Sequence, residues 1–304
     1  MIQLKQFSVR EKIAEKSEIV VYRGAAQDGR PVIIKANREG RGEPAVLARI
    51  NHEFEVTRDL VSQGIITPFS LERYSEGLAL IFDDYEGRSL RQYLESGPLD
   101  EGTFLDFALS LTQTLGELHA RGLIHKDIKP DNILINGDGT PRIIDFGISS
   151  KLSLKRQHLG NPGVLEGTLA YISPEQTGRM NRVVDHRSDL YSLGVTFYEM
   201  LSGAPPFESQ DSLELVHAHM ARNPRPLNEI KADLPPSLCA VVMKLLAKDA
   251  EDRYQSASGL GHDLDLVKQG LSFTPGADDY SGRFQIPQKL YGRDAQREQL
   301  LGAF

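Results

Sequence analysis

The sequence predicts an α+β chain in two lobes, a small β-rich one followed by a larger helical one, with a cleft between them. Three observations predict it. Runs of β-branched residues are confined to about the first 80 positions, with one helical stretch among them. From about residue 86 apolar residues recur at helical spacing. The chain shows no low-complexity tract and no internal repeat, and a small β-rich part followed by a larger helical one suggests two lobes.

Glu18 to Arg23 (EIVVYR) and Pro31 to Ala36 (PVIIKA) are β-branched runs separated by Gln27-Asp28-Gly29, the signature of a hairpin. Ala45 to Leu60 places apolar residues at helical spacing, and Gly77 to Phe82 (GLALIF) reads as a further strand. A helix starts at Leu90. Phe104 to Arg121 is strongly amphipathic and stops at Gly122. Asn132 to Ile135 and Arg142 to Asp145 flank Gly137-Asp138-Gly139 as a second, short hairpin. Asp189 to Ser202 and Leu238 to Leu246 are apolar enough to be buried helices. Thr274 to Arg283 is polar and Gly/Ser-rich, like a linker, and Leu290 to Phe304 restarts a helical pattern. The expected division is therefore 1–85, 86–269 and 270–304, the last being a linker and the start of a following domain.

Composition narrows the function classes. The chain has 304 residues, 40% hydrophobic and 25% charged, as expected of a globular protein. Lys and Arg number 35 against 42 Asp and Glu, a formal charge of −7, which does not suit a nucleic-acid binder that works by blanket charge neutralisation. Cys239 is the only cysteine, which fits a reducing compartment. Met1 to Arg10 lacks the layout of a signal peptide, and no apolar stretch approaches the ~18 residues that span a bilayer. The expectation is a cytoplasmic protein with no membrane span.

The densest chemistry is His125-Lys126-Asp127-Ile128-Lys129-Pro130-Asp131-Asn132, lying between the amphipathic helix and the short hairpin. Thirteen residues after Asn132 comes Asp145-Phe146-Gly147. Both acidic groups flank one hairpin, so both can point into one cleft. Phosphoryl transfer needs such a set: a carboxylate that orients the attacking hydroxyl, an amide and a second carboxylate that hold magnesium, and a lysine that neutralises the moving charge.

In these motifs the sequence resembles the protein-kinase family over about residues 9 to 267. The resemblance implies a bilobal protein-kinase-like fold. It implies Asp127 as catalytic base, Lys129 at the γ-phosphate, and Asn132 and Asp145 as ligands of Mg2+. Lysine at 129 is the Ser/Thr-type pattern. Lys35, ending Val32-Ile33-Ile34-Lys35, matches the strand lysine that grips the α/β-phosphates of ATP. Its partner is expected to be Glu53; Glu55, the competitor, lies about 200° around the helix, so only one of them can face the lysine. Phe82 matches the gatekeeper and Asp83 to Tyr85 the hinge, with the Asp83 carbonyl and the Tyr85 amide on adenine. Val21 and Leu134 would form the apolar roof and floor of that pocket. Gly167 to Glu175 resembles the segment that docks a protein substrate; there Thr168 is expected to bond Asp127 and Lys129. Glu175 should pair with Arg253, and Asp189 should hold the catalytic loop.

Three positions depart from the pattern. Where the family has a glycine-rich phosphate loop, this chain has Ala14-Glu15-Lys16-Ser17-Glu18-Ile19-Val20-Val21. Without glycine the backbone cannot approach phosphate as closely, which implies either weaker ATP binding or phosphate contacts from Lys16 and Ser17. Ile33 stands where alanine is usual and narrows the pocket roof. Lys126 replaces an arginine that pairs bidentately with a phosphorylated activation loop; a lysine offers only a point charge. Activity is therefore expected not to require phosphorylation between Gly147 and Gly167, where Ser149, Ser150 and Ser153 lie.

Two shorter stretches, Ile50 to Glu55 and Pro174 to Arg182, resemble the kinase modules that open large, mostly bacterial signalling proteins, in which an AAA-like ATPase follows. Tyr291-Gly292-Arg293-Asp294 is similar to the start of that module. The implied partners are a Ser/Thr-bearing protein substrate and downstream domains of the same polypeptide. Against the reading as an active kinase stands a second one, a nucleotide-binding pseudokinase that serves as scaffold for the downstream ATPase.

Overall fold

The computed structural model describes residues 2–15, 18–38, 43–75, 77–151, 168–179 and 182–279. Lys16, Ser17, Ser153, Gly167, Met180, Asn181 and the stretch read as Leu290 to Phe304 lie outside the described residues.

The N-terminal lobe is a five-stranded antiparallel sheet with one helix. Its elements are β1 (Phe7–Glu15), β2 (Ile19–Ala26), β3 (Pro31–Asn37), α1 (Pro44–Thr57), β4 (Ser70–Tyr74) and β5 (Gly77–Asp83), with sheet order β1-β2-β3-β5-β4. The expected β2–β3 hairpin turns through Gly29 at φ +87°, the left-handed conformation glycine adopts without cost. Strand alternation gives the sheet two faces. Val32, Ile34, Ala36, Ala79 and Ile81 bury one against the N-terminal segment. On the other, Leu78, Leu80 and Phe82 pack with Val46 and Ile50 of α1. Cross-strand register puts Val21 opposite Lys35 and Ile33 opposite Phe82, so all four project from this second face.

The C-terminal lobe contains β6 (Arg88–Ser89), α2 (Leu90–Leu94), α3 (Glu101–Ala120), β7 (Leu123–Ile124), β8 (Ile133–Ile135), β9 (Pro141–Ile143), β10 (Ser150–Lys151), α4 (His186–Ser202), α5 (Ser212–Ala221), α6 (Pro236–Leu245) and α7 (Ala257–Lys268). Asp100 caps α3 by accepting the Thr103 amide at 3.0 Å, and Asp185 caps α4. Helix α4 is buried on all sides from Ser188 to Leu201, as an apolar helix at the centre of a lobe must be. α3 and α6 pack against it, and α7 packs on both; Phe104 and Phe197 meet edge to face at 5.2 Å.

α1 ends three residues short of the sequence reading. Residues 274–279, the start of the stretch read as a linker, lie against α7: Gly276 donates its amide to Asp263 at 2.6 Å, and Asp279 accepts the Ser256 hydroxyl at 2.6 Å. Among the described residues no helix is long and apolar enough to cross a membrane.

Candidate active site

The sheet lobe contributes an ion-pair cluster between its helix and the turn at Asp145. Lys35 Nζ donates to Glu53 Oε2 at 2.6 Å and to Asp145 Oδ1 at 2.8 Å. Of the two glutamates weighed for this place, Glu53 is the buried one; Glu55 is exposed and pairs with Arg58. Burial by itself would lower the Lys35 ammonium, but the Glu53 and Asp145 carboxylates outweigh it and hold it above its ordinary value. Lys35 is therefore a fixed cation at neutral pH.

The helical lobe contributes the loop between β7 and β8. Asp127 Oδ2 accepts from Lys129 Nζ at 2.6 Å and from Asn132 Nδ2 at 2.8 Å, while Asp127 Oδ1 accepts the Thr168 amide at 3.2 Å. Lys129 also donates to the Thr168 hydroxyl. Asn132 spends its amide hydrogens on the Asp127 carboxylate and carbonyl, which leaves Oδ1 as the atom it offers to a cation. A chain of backbone bonds joins the two halves of the site. Ile144, next to Asp145, donates its amide to the Asn132 carbonyl at 3.0 Å. The imidazole of His125 accepts the Asp127 amide on Nδ1, so its proton sits on Nε2, which donates to the Ile144 carbonyl at 3.1 Å.

Two non-glycine residues here have left-handed backbone, Lys126 at φ +69° and Asp145 at φ +70°. Such conformations persist only where neighbours over-determine them. Lys126 donates its amide to Asp189 Oδ1 at 2.7 Å, and its carbonyl accepts from Gln176 at 2.8 Å. Asp189 is fully buried and also takes the His125 amide and the His119 ring, both at 2.9 Å. Burial would raise its carboxyl, but the hydrogen bonds from the His119 ring and the His125 amide hold it below the usual range. Glu175 and Arg253 make a buried two-pronged pair at 2.7 and 2.9 Å, completed by the Ser188 hydroxyl at 2.7 Å. There too the pairing outweighs burial and keeps the Glu175 carboxyl low.

Ile33, Phe82, Tyr85 and Leu134 pack in one apolar group between the lobes, and Val21 lies on the same sheet face. The hinge is cross-braced: Arg30 pairs with Asp83 at 2.7 Å and Arg23 with Asp84 at 2.6 Å. The glutamates around the glycine-free turn are likewise occupied. Glu15 pairs with Lys12 at 2.5 Å and with Arg38 at 3.4 Å, and Glu18 with Arg49 at 3.5 Å. The turn's negative charge is thus matched residue by residue.

Beside Thr168 opens a cavity of about 480 Å³ lined by Arg91, Asp131, Tyr171, Glu199, Phe207 and Leu215. Arg91 ties its wall together by donating to Glu199 and to the Tyr171 hydroxyl. The sequence reading missed this set, together with Gln176 on Lys126, His119 on Asp189 and His52 on Ser149. Their partners lie 28 to 108 residues apart, so no local spacing announces them.

The geometry agrees with comparisons to known proteins. A family model described as the protein kinase domain matches residues 7–264. The serine/threonine-protein kinase PknB of Mycolicibacterium smegmatis is 35% identical over 192 residues, 63% of this chain and 30% of PknB. The serine/threonine-protein kinase PknL of Mycobacterium tuberculosis is 30% identical over 270 residues, 88% of this chain and 67% of PknL. The match thus spans less than a third of PknB's length and about two thirds of PknL's. Together with the matched motifs, these similarities settle the family: the chain belongs to the protein kinases, on their serine/threonine side.

Proposed function

We propose that this domain transfers the γ-phosphoryl of Mg·ATP to serine or threonine hydroxyls of a protein, as the kinase module of a larger polypeptide. The observation that carries this is the joint placement of Lys35, Glu53 and Asp145 on one side and Asp127, Lys129 and Asn132 on the other, linked through one hairpin. Asp127 orients the substrate hydroxyl and takes its proton as the new O–P bond forms; Lys129 balances the charge moving to the leaving oxygen. Lys35, kept protonated by Glu53 and Asp145, faces the α- and β-phosphates. Ile33, Phe82, Leu134 and Val21 enclose the base, with the Asp83 carbonyl and the Tyr85 amide as its polar contacts.

The donor set fits a magnesium ion. Asp145 and Asn132 present hard oxygen atoms, and among the described residues no three His, Cys, Asp or Glu side chains gather as a dedicated metal cage. Two protein oxygens completed by phosphate and water are what magnesium takes in such sites. When bound, the ion would neutralise phosphate charge and fix the triphosphate.

The segment from Thr168 to Glu175 and the cavity beside it support docking of an extended protein segment next to Asp127. We assign residues 1–85 and 86–269 to the two lobes, and 270–304 to a connection toward downstream domains. The pseudokinase reading draws on the missing glycines; the paired state of Glu15 and Glu18 weighs against the repulsion that motivated it. The deciding experiment is label transfer from γ-labelled ATP to the protein itself and to casein, by wild type and Asp127→Ala. Loss of transfer in the variant is expected. Equal labelling by the two would overturn the assignment, and stabilisation by Mg·ATP without turnover would favour the scaffold.

A further inference from the structure

Helix α1 meets the activation segment at more than the Lys35–Glu53 pair. Arg49, His52 and Glu53 fall within about 100° of one another on the helix, so they share one face. Glu53 accepts from Lys35 at 2.6 Å, with the Phe146 backbone beside its carboxylate. A β-carbon added at Gly147 would lie 3.8 Å from the Glu53 carboxylate and 4.0 Å from the Arg49 guanidinium, which places that backbone directly against the helix. His52 makes the outermost contact, Nε2 to the Ser149 carbonyl at 2.7 Å. A carbonyl only accepts, so the proton is on Nε2.

Ser149 is a junction. It is buried, its hydroxyl donates to the Phe146 carbonyl at 2.7 Å, and its amide donates to the same oxygen at 3.1 Å, closing the turn after Asp145. The next residue begins β10, which pairs Ser150 with Ile124 and Lys151 with Leu123, immediately before His125 and Asp127. His52 therefore bonds helix α1 to the residue that leads from the Asp145 turn into β10, which pairs with β7 ahead of the catalytic loop. The contact is made to main chain, so it needs no side chain and no modification on the strand.

We propose that His52 is a positioning residue for phosphoryl transfer: its bond to the Ser149 carbonyl holds helix α1, and with it Glu53 and Lys35, in register with Asp145 and β10. It rests on the kinase reading only for its effect on rate, because the contact itself can be followed without turnover. Losing it frees the helix to swing while Glu53 keeps its own chemistry. Small displacements of positioned groups cost far more rate than binding.

The test compares wild type, His52→Ala and His52→Gln, the last keeping an N–H donor at similar reach. Steady-state transfer to casein, melting temperature and hydrogen exchange over 45–57 and 145–151 are measured on each. His52→Ala is expected to lower kcat about tenfold, the loss of roughly one hydrogen bond's worth of positioning. Its KM for casein should stay within about twofold and its melting temperature nearly unchanged, with faster exchange in both segments. His52→Gln should recover most of kcat and the wild-type exchange pattern. The proposal is overturned if exchange in both segments is unchanged in His52→Ala, or if folded His52→Gln behaves no better than His52→Ala. Should His52→Ala fail to fold, a folded His52→Gln with slow kcat and fast exchange overturns it equally.

Discussion

On the helical side of the cleft, charge is held by groups that are themselves buried. Asp189 takes two backbone amides and a histidine inside the lobe, and Glu175 meets Arg253 with both oxygens. On the sheet side, Glu15 and Glu18, which flank the glycine-free stretch, pair with Lys12, Arg38 and Arg49, and all these pairs touch solvent. Buried pairs are costly to break because the surviving partner is left desolvated, whereas exposed pairs contribute little and fade with salt. The loop that carries Asp127 is thus set on a rigid frame, while the side proposed to meet nucleotide is tuned by interactions that adjust at small cost.

The sharpest way to break this contrast is Arg253→Met. It leaves Glu175 buried without its cation, so we expect about 3–5 kcal/mol of lost stability in denaturant unfolding. A loss under about 1 kcal/mol would remove the distinction between the two sides. Asp189→Asn should cost less, about 1–3 kcal/mol, since the amide keeps an acceptor for one loop amide and loses the other. It should also slow transfer, because Lys126 is no longer held in its left-handed conformation.

Acid should act on the same side. The Glu175 and Asp189 carboxyls are lowered by folding. A lowered carboxyl contributes stability that is complete above its unfolded pKa of about 4 and is lost as pH falls through the folded value. Melting temperature should therefore hold from pH 7 to about 5 and drop below about 4, and Asp189→Asn should flatten that drop. Arg49→Gln, on the sheet side, should change stability by less than about 1 kcal/mol, and by less still in 1 M salt. Smallest of all is the effect of Ser149→Ala/Ser150→Ala/Ser153→Ala. Transfer within about twofold of wild type is expected, since the Ser149 side chain donates one local bond and β10 is held through main chain. A large loss restored by an acidic residue would show that phosphate does the holding.

The readable elements were those whose surroundings are uniform. GLALIF announces a strand because β5 lies mid-sheet with apolar neighbours on both faces, and 104–121 announces a helix because one face meets α4 and α7. β1 and β4 escaped notice because they are the sheet edges, where exposed positions carry charge and blur the alternation. β7 and β10 are two residues each, too short for any pattern. In the site, Asp127, Lys129, Asn132 and Asp145 were legible because they sit within twenty residues around one hairpin. Helical angle said only that one of Glu53 and Glu55 can face Lys35; burial decided for Glu53. His52, inside a stretch singled out for resemblance, had no assigned role because its partner is a backbone oxygen 97 residues away, and every residue has one.

By itself the sequence determined the two-lobed architecture and singled out the residues that gather at the cleft, since periodicity and short motifs are local properties of the chain. Which glutamate answers Lys35, how Lys126 and Asp145 are kept in unusual backbone, and what neutralises a turn without glycines were decided only in three dimensions. The reason is that burial, and pairing between distant residues, exist only once the core has closed around them.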